Sequence, residues 1–333
     1  MWFKNLAVFE FIEPIELDAE QIEERLADHR FVPCGSTVPQ SMGWISPAGK
    51  EGQLIYSANG YHLMAFQVQD KIVPAGVIKE QLDEKVEEIE LKESRRIKKK
   101  EKDQLKEEIY QSLLPRAFTR SNVIYGYIDT RGGWLVVNAA SSKKAELFTL
   151  NLRKALGSLK IRIPELMPVG MLLTHWIKSK EYPEALAITD QCVLQDNKDA
   201  AGTIRCQRQD LFSDDIISLI DSGREVIQLG LCYRDAVSFV LNDEFMIKSV
   251  KFLEIIQDQA NDIAGDDVSV QFDADFSIMS ETLSEFIAYL HAVFAKKATV
   301  DNSDLSDEIQ RSTSDDVDEN NMPFDVEEKS ESS

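Results

Sequence analysis

The stretch Lys92-Glu93-Ser94-Arg95-Arg96-Ile97-Lys98-Lys99-Lys100-Glu101-Lys102-Asp103-Gln104-Leu105-Lys106 sets eight basic residues against three acids, a net of +5 inside a 333-residue chain whose formal charge is −21. It interrupts a helical pattern. After Pro74, the apolar residues Ile78, Leu82, Val86 and Ile89 recur at spacings of four, four and three, and the stripe resumes at Leu105, Ile109 and Leu113. Between 90 and 104 the stripe thins. That predicts two consecutive helices with a weakly anchored basic middle, projecting from the body. The segment then ends in Ser112-Leu113-Leu114-Pro115-Arg116-Ala117-Phe118-Thr119-Arg120. Proline cannot continue a helix and biases the residue before it to an extended conformation. The residues after Leu114 are therefore expected to stand off as a loop carrying Arg116, Phe118 and Arg120. Two guanidinium groups flanking an aromatic ring suit a polyanion surface or an interlocking protein contact.

Both features have an ordinary reading. A charge run is usually a solvated helix face laced with ion pairs four residues apart, and Glu87, Glu88, Glu90 and Glu93 favour that here. The ordinary role for Phe118 is a loop residue folded into the chain's own core.

The rest of the chain reads as alternating strand and helix. Residues 2–12 form a largely buried strand, and Asp18 caps a short helix with Ile22 and Leu26 on one face. Three prolines and four glycines between 31 and 52 mark loop, with a short piece of strand near Trp44. Asn59-Gly60, between Gln53–Ala58 and Tyr61–Gln69, is the strongest hairpin signal. A second hairpin joins 123–129 to 134–139 around Arg131-Gly132-Gly133. Ser141 or Ser142 then caps a helix that ends at Gly157, before a strand at 159–163. Pro164 and Pro168 mark a boundary. Beyond it the expected elements are a helix near 171–179, strands near 186–194 and 203–209, and a helix 214–222 between Ser213 and Gly223. Strands at 225–233, 236–241 and 246–254 follow, then an amphipathic helix 281–296.

Strand pairs alternating with helices, without a glycine-rich phosphate turn, indicate α+β: antiparallel sheet layers with packed helices and a projecting helical tip. The expected domains are 1–76 with 115–164 as a central α+β domain, 77–114 as the tip and 165–298 as a C-terminal α+β base. From Thr299 to Ser333 there are 12 acids and two bases. With so few apolar residues that tail is expected to be disordered.

Composition narrows the function. An overall acidic chain attracts no nucleic acid as a whole, so any contact with DNA must come from a locally basic surface. No apolar run approaches the roughly 20 residues of a membrane span. The apolar N-terminus is broken at Glu10 and Glu13, too early for a secretory core. Cys34, Cys192, Cys206 and Cys232 show no close pairing in sequence, which suits a reduced cytoplasmic protein. Cys192 and Cys232 sit in apolar patterns and are expected to be buried small hydrophobes.

Enzyme signatures are weak. His29, His62, His175 and His291 are scattered, and there is no His-x-x-x-His, Gly-x-Ser-x-Gly, Walker loop or Cys-x-x-Cys. Only Asp262, Asp266, Asp267, Asp273 and Asp275 could serve a metal-dependent nuclease, with Asp273 and Asp275 on one face of a strand. The ordinary reading is an Asp-rich turn before that strand. No catalytic residue, metal or cofactor is assigned.

Several motifs together resemble the RdgC family of bacterial recombination-associated DNA-binding proteins. They are Trp2-Phe3-Lys4-Asn5-Leu6, Pro33-Cys34-Gly35, Met42-Gly43-Trp44, Lys99-x-Glu101-Lys102-Asp103-x-Leu105-Lys106 and Ser112-Leu113-Leu114-Pro115-Arg116-Ala117-Phe118. Lys143-Lys144-Ala145-Glu146, Arg153-Lys154-x-Leu156-Gly157-Ser158-Leu159 and Phe272-Asp273-Ala274-Asp275-Phe276 complete the set, which runs from the first residues to about 276.

The resemblance implies a curved subunit that closes into a ring-shaped homodimer, encircles duplex DNA without reading its sequence and restrains RecA-dependent strand exchange. It implies positive charge lining the ring, which makes Lys92, Arg95, Arg96, Lys98, Lys99, Lys100, Lys102 and Arg208 the candidate phosphate contacts. It implies that Phe118 plugs the dimer interface with Arg116 beside it. By the same resemblance Arg208 and Gln209 belong either at the ring's closing contact or at its DNA-facing edge. The family usually shows two adjacent basic residues before Gln-Asp-Leu. Here Gln207 takes the first position, which should flatten the salt dependence by roughly one counterion. The acidic tail also departs from a family that normally stops soon after the last helix. The implied location is the cytoplasm, at the nucleoid. Two other readings stay open: a protein-interaction scaffold using the charged helices, and a nuclease using Asp262–Asp275.

Overall fold

The computed structural model describes residues 1–49, 52–196, 202–264 and 268–296. The chain opens with β1 (Ala7–Phe11), α1 (Ala19–Ala27), β2 (Gln40–Ile45), β3 (Ile55–Ala58) and β4 (Tyr61–Ile72). The helix start is built as the sequence predicts. Asp18 accepts a hydrogen bond from the Gln21 amide while the Gln21 side chain accepts from the Asp18 amide, a reciprocal cap contributing about 1 kcal/mol. Asn59 and Gly60 both take positive φ, 50° and 79°, the backbone a tight two-residue hairpin turn demands.

Next come α2 (Ala75–Glu93), α3 (Lys99–Leu113), a 3-10 turn at Leu114–Arg116, and β5 (Phe118–Asp129). β5 pairs with β4 along its whole length, from Ile72 opposite Phe118 to Tyr61 opposite Asp129. The expected loop over Arg116, Phe118 and Arg120 is therefore corrected: Phe118 and Arg120 lie on a strand. Leu114, expected to be extended, is helical (φ −51°, ψ −43°). Its fully buried side chain outweighs the local clash with the proline ring.

β6 (Trp134–Val137), α4 (Ser142–Leu156) and β7 (Ile161–Arg162) complete a seven-stranded antiparallel sheet. Its strand order is β2-β4-β5-β6-β1-β7, with β3 also paired to β4. α4 ends at Gly157, whose φ of 79° favours glycine.

α5 (Val169–Ser179), β8 (Leu186–Asp196), β9 (Thr203–Gln207), α6 (Asp214–Asp221), β10 (Arg224–Tyr233), β11 (Val237–Asn242) and β12 (Ile247–Phe252) form the second half. Their strands make a five-stranded antiparallel sheet ordered β12-β11-β10-β8-β9. Two helices close the described chain, α7 (Glu254–Ala264) and α8 (Val268–Phe294). α7 is unforeseen. α8 begins thirteen positions before the expected start at 281, so the strand expected around Asp273–Asp275 is helix.

One apolar core joins the two sheets through α8. Phe276, Met279, Leu283, Phe286, Ile287, Leu290 and Phe294 meet Tyr61, Leu63, Tyr127 and Trp134 of the first sheet and Leu229, Leu231, Tyr233 and Phe239 of the second. Each such side chain contributes about 1.5–3 kcal/mol on burial. A second core fills the opposite face of the first sheet, where Trp44, Phe66 and Ile124 pack against Phe148 and Leu152 of α4 and Ile22 and Leu26 of α1. Met1–Ala295 is one compact unit. The expected disordered tail lies outside the described residues.

Candidate nucleic-acid interface

The basic stretch forms the connection between α2 and α3. Ser94 ends α2 in the left-handed conformation and Lys98 opens α3. Buried Ile97 anchors the connection, and its amide donates to Glu90 Oε1 at 2.8 Å. Arg95 is held in place by acids. Its Nε donates to Glu93 at 2.6 Å, and its two terminal nitrogens donate to Glu101 at 2.9 and 2.7 Å. These bonds raise the Arg95 pKa above its ordinary value, and the Arg95 hydrogen bond lowers that of Glu101. Arg95 thus follows the ordinary reading, a guanidinium engaged within its own turn.

Its neighbours do not. Lys92, Arg96, Lys98, Lys99, Lys100 and Lys102 are exposed and form no salt bridge among the described residues, although the charge of Lys98 also helps to hold the Glu101 pKa down. Lys98, Lys99 and Lys100 crowd the start of α3, where the helix dipole disfavours cations. A bound anion there would offset all three charges.

The second group sits where the β4–β5 ribbon meets the end of α3. Lys71 Nζ donates to the carbonyls of Ser36 (2.6 Å) and Leu114 (2.8 Å), tying ribbon to helix. Phe118 is 85% exposed, so the reading that folds it into the chain's own core is excluded. Its cross-strand neighbour Ile72 is also exposed. Arg120 stands opposite Asp70, which accepts from Gln40 Nε2 at 2.6 Å. Arg116 is exposed in the 3-10 turn.

The third group is on the second sheet. β9 ends at Gln207, and Arg208 turns away with a φ of 55°. The expected strand over 203–209 therefore stops two residues early. Gln209 donates its amide to the Asp190 carbonyl at 3.2 Å, and both side chains are exposed. The seven cations of 92–102 share one connection, Arg116 and Phe118 share the end of the ribbon, and Arg208 and Gln209 lie on a separate sheet.

The aspartates are not assembled. Asp273 and Asp275, two residues apart on a helix, point to different sides. Asp273 accepts from Tyr56 Oη at 2.7 Å, and burial together with that carboxylate pushes the Tyr56 pKa up to about 12. Asp275 takes the Met1 ammonium at 2.5 Å and Gln271 Nε2 at 2.8 Å. Asp262 is exposed on α7. Asp266 and Asp267 lie outside the described residues. No group of three or more metal-ligating side chains occurs among the described residues.

Two further arrangements lie outside the expected site. Cys192 and Cys206 face each other across β8 and β9. Burial, and then the neighbouring Cys206, push the Cys192 thiol up to about 12, so it behaves as an inert hydrophobe. Cys232, expected to be buried, is only partly so. The outer face of α4 carries Lys143, Lys144, Arg153 and Lys154 with a single acid, Glu146, a surplus visible in the sequence but overshadowed by the stronger run at 92–106.

A family model described as "Putative exonuclease, RdgC" matches residues 1–297. A protein named "Recombination-associated protein RdgC" from Psychromonas ingrahamii is 40% identical over 296 residues, covering 88% of this chain and 98% of the relative. Its namesake from Yersinia enterocolitica is 40% identical over 293 residues, covering 87% of this chain and 96% of the relative. The Yersinia pestis protein of that name is 39% identical over the same length.

Proposed function

The chain belongs to the RdgC family, and on that premise we propose that it is a sequence-nonspecific duplex-DNA-binding protein that closes around DNA as a homodimer and restrains RecA-dependent strand exchange. The observation that carries the proposal is the cluster of exposed cations at the α2–α3 connection of a chain that is otherwise acidic, most of them outside any salt bridge among the described residues. Phosphate contacts there need no base readout. Enclosure lets modest positive charge suffice, because a closed ring holds DNA topologically. Twofold closure is the commonest way for one subunit to make a ring. Exposed Phe118, flanked by Arg116 and Ile72, supplies an apolar contact for that closure. Arg208 and Gln209 add a further polar edge. In this reading 77–114 is the tip, 1–76 with 115–164 the central domain and 165–298 the base.

A gel shift with linear and circular duplexes, run beside sizing for mass, tests the proposal. The expected result is a dimer that retains both duplexes at low salt and keeps circles better than linear fragments as salt rises. A monomer at micromolar concentration, or no retention in dilute buffer, would overturn it. A protein-interaction scaffold would retain no duplex at any salt.

The family model's description supports one rival, a nuclease. The relatives' names give an association with recombination and no catalytic activity. Plasmid incubated with Mg²⁺ or Mn²⁺ separates the two: nicking abolished by Asp273→Asn or Asp275→Asn would establish the rival. No helix among the described residues is long and apolar enough to cross a membrane. The proposed site of action is the cytoplasmic nucleoid.

A further inference from the structure

The outer face of α4 is a surface that the proposed DNA contacts do not use. Leu150 is 48% exposed in its middle, with partly exposed Leu147 one turn before it. Lys143 and Lys144 lie at one end and Arg153 and Lys154 at the other. A shallow groove runs between Lys143, Glu146, Leu147, Thr149, Leu150 and Arg153. None of the four cations makes an ion pair among the described residues. Arg153 reaches only the Leu159 carbonyl, at 3.4 Å. Two lysines in the first turn also oppose the helix dipole, and Ser141 makes no side-chain cap to offset them.

We propose that this face docks an extended acidic peptide of a partner protein, with a bulky apolar side chain on Leu147 and Leu150 and carboxylates on the cations at each end. The apolar centre decides between anionic ligands. A phosphodiester backbone has nothing to place on Leu150, whereas an acidic peptide with one large apolar residue satisfies centre and rim together. The spacing is set by geometry. Ten residues of helix from Lys143 to Arg153 span about 15 Å. An extended chain covers that in about four to five residues at ~3.3 Å each. The recognised pattern is therefore two acidic positions about five residues apart, with the apolar residue between them.

The probe is a fluorescein-labelled peptide, Asp-Asp-Ser-Phe-Ser-Asp-Asp, titrated with the full chain and read by anisotropy at low salt. The expected dissociation constant is about 10–100 μM, a span of millimolar-to-micromolar weak recognition. Leu150→Ser, and separately a peptide with Phe replaced by Ser, should each weaken binding at least ~tenfold, the transfer effect of one large side chain. The double variant Lys143→Glu with Arg153→Glu should abolish it. Melting curves of both variants should match the parent, since the three side chains are half-buried or exposed. Equal binding of the Phe-to-Ser peptide, an unaffected Leu150→Ser variant, or displacement of the peptide by a 30-base-pair duplex would each overturn the proposal. The last result would assign the face to nucleic acid.

Discussion

Ser284 of α8 donates a 2.6 Å hydrogen bond to Asp129 Oδ2 in the turn between β5 and β6. The other carboxylate oxygen accepts the amides of Arg131 and Gly132 at 3.0 and 2.8 Å, so this 1%-exposed group is fully engaged. The pair fastens the central helix to the first sheet at the far end of the ribbon from Phe118. The two ends of β5 thus have opposite characters, one locked into the core and one exposed.

Removing each partner should have unequal effects. Ser284→Ala removes one hydrogen bond and should lower unfolding stability by about 1 kcal/mol. Asp129→Ala takes the acceptor from two backbone amides and a hydroxyl at once and should lower it by about 3 kcal/mol. Urea denaturation measures both. Equal effects would show that the turn, not the carboxylate, carries the connection.

The state of Arg95 separates clamp from contact. Arg95→Ala should reduce duplex affinity less than Arg96→Ala, because Glu93 and Glu101 already occupy the Arg95 guanidinium. Each contacting cation removed should flatten the plot of log affinity against log salt by about 0.9, so Arg96→Ala should flatten it and Arg95→Ala should not. Affinity measured over a salt series decides. A larger slope change for Arg95→Ala would reverse the assignment.

Phe118→Ala should leave stability within about 0.5 kcal/mol, since an exposed ring contributes little to the monomer's core. If Phe118 closes a ring, the same variant should shift sizing from dimer toward monomer and lose its preference for circular duplex. A variant that stays dimeric at low micromolar concentration removes Phe118 from the interface.

Burial holds the His62 pKa below its usual 6.5, and its Nδ1 lies 2.8 Å from Ser57 Oγ. The unfolded chain therefore binds a proton on this residue at a higher pH than the folded one does. Stability should fall as pH drops below about 6.5, through the lowered folded value. His62→Asn should show a shallower loss of melting temperature between about pH 7 and pH 5.5 than the parent. Parallel curves would place the acid sensitivity elsewhere.

Deleting Thr299–Ser333 removes a net charge of −10. Duplex affinity should rise at low salt, with the gain disappearing as screening shortens the electrostatic reach to about 8 Å at physiological ionic strength. Equal affinities for both lengths across the salt series would leave the tail a solubilising role.

Much of the fold was legible because its signals act within a few residues. The Asp18–Gln21 cap, the Asn59-Gly60 turn, the end of α4 at Gly157 and the two helices on either side of Ser94 all follow from backbone preference and short-range hydrogen bonds. The candidate cations were legible for the same reason, as a local surplus of charge. Their individual roles were not. Whether Arg95 is free or engaged depends on how the chain turns at Ser94, which brings Glu101 onto its guanidinium.

The amino-acid sequence by itself determined an α+β chain with antiparallel hairpins, a basic helical connection and an acidic end, because periodicity and turn chemistry are local properties. Tertiary structure alone decided that Leu114 stays helical before a proline, that Phe118 projects from a strand instead of entering the core, and that α8 extends back through Asp273 to join the two sheets. Each of these outcomes rests on contacts between residues distant in the chain. Such contacts override local preference when enough apolar surface is buried, and no spacing within the sequence records them.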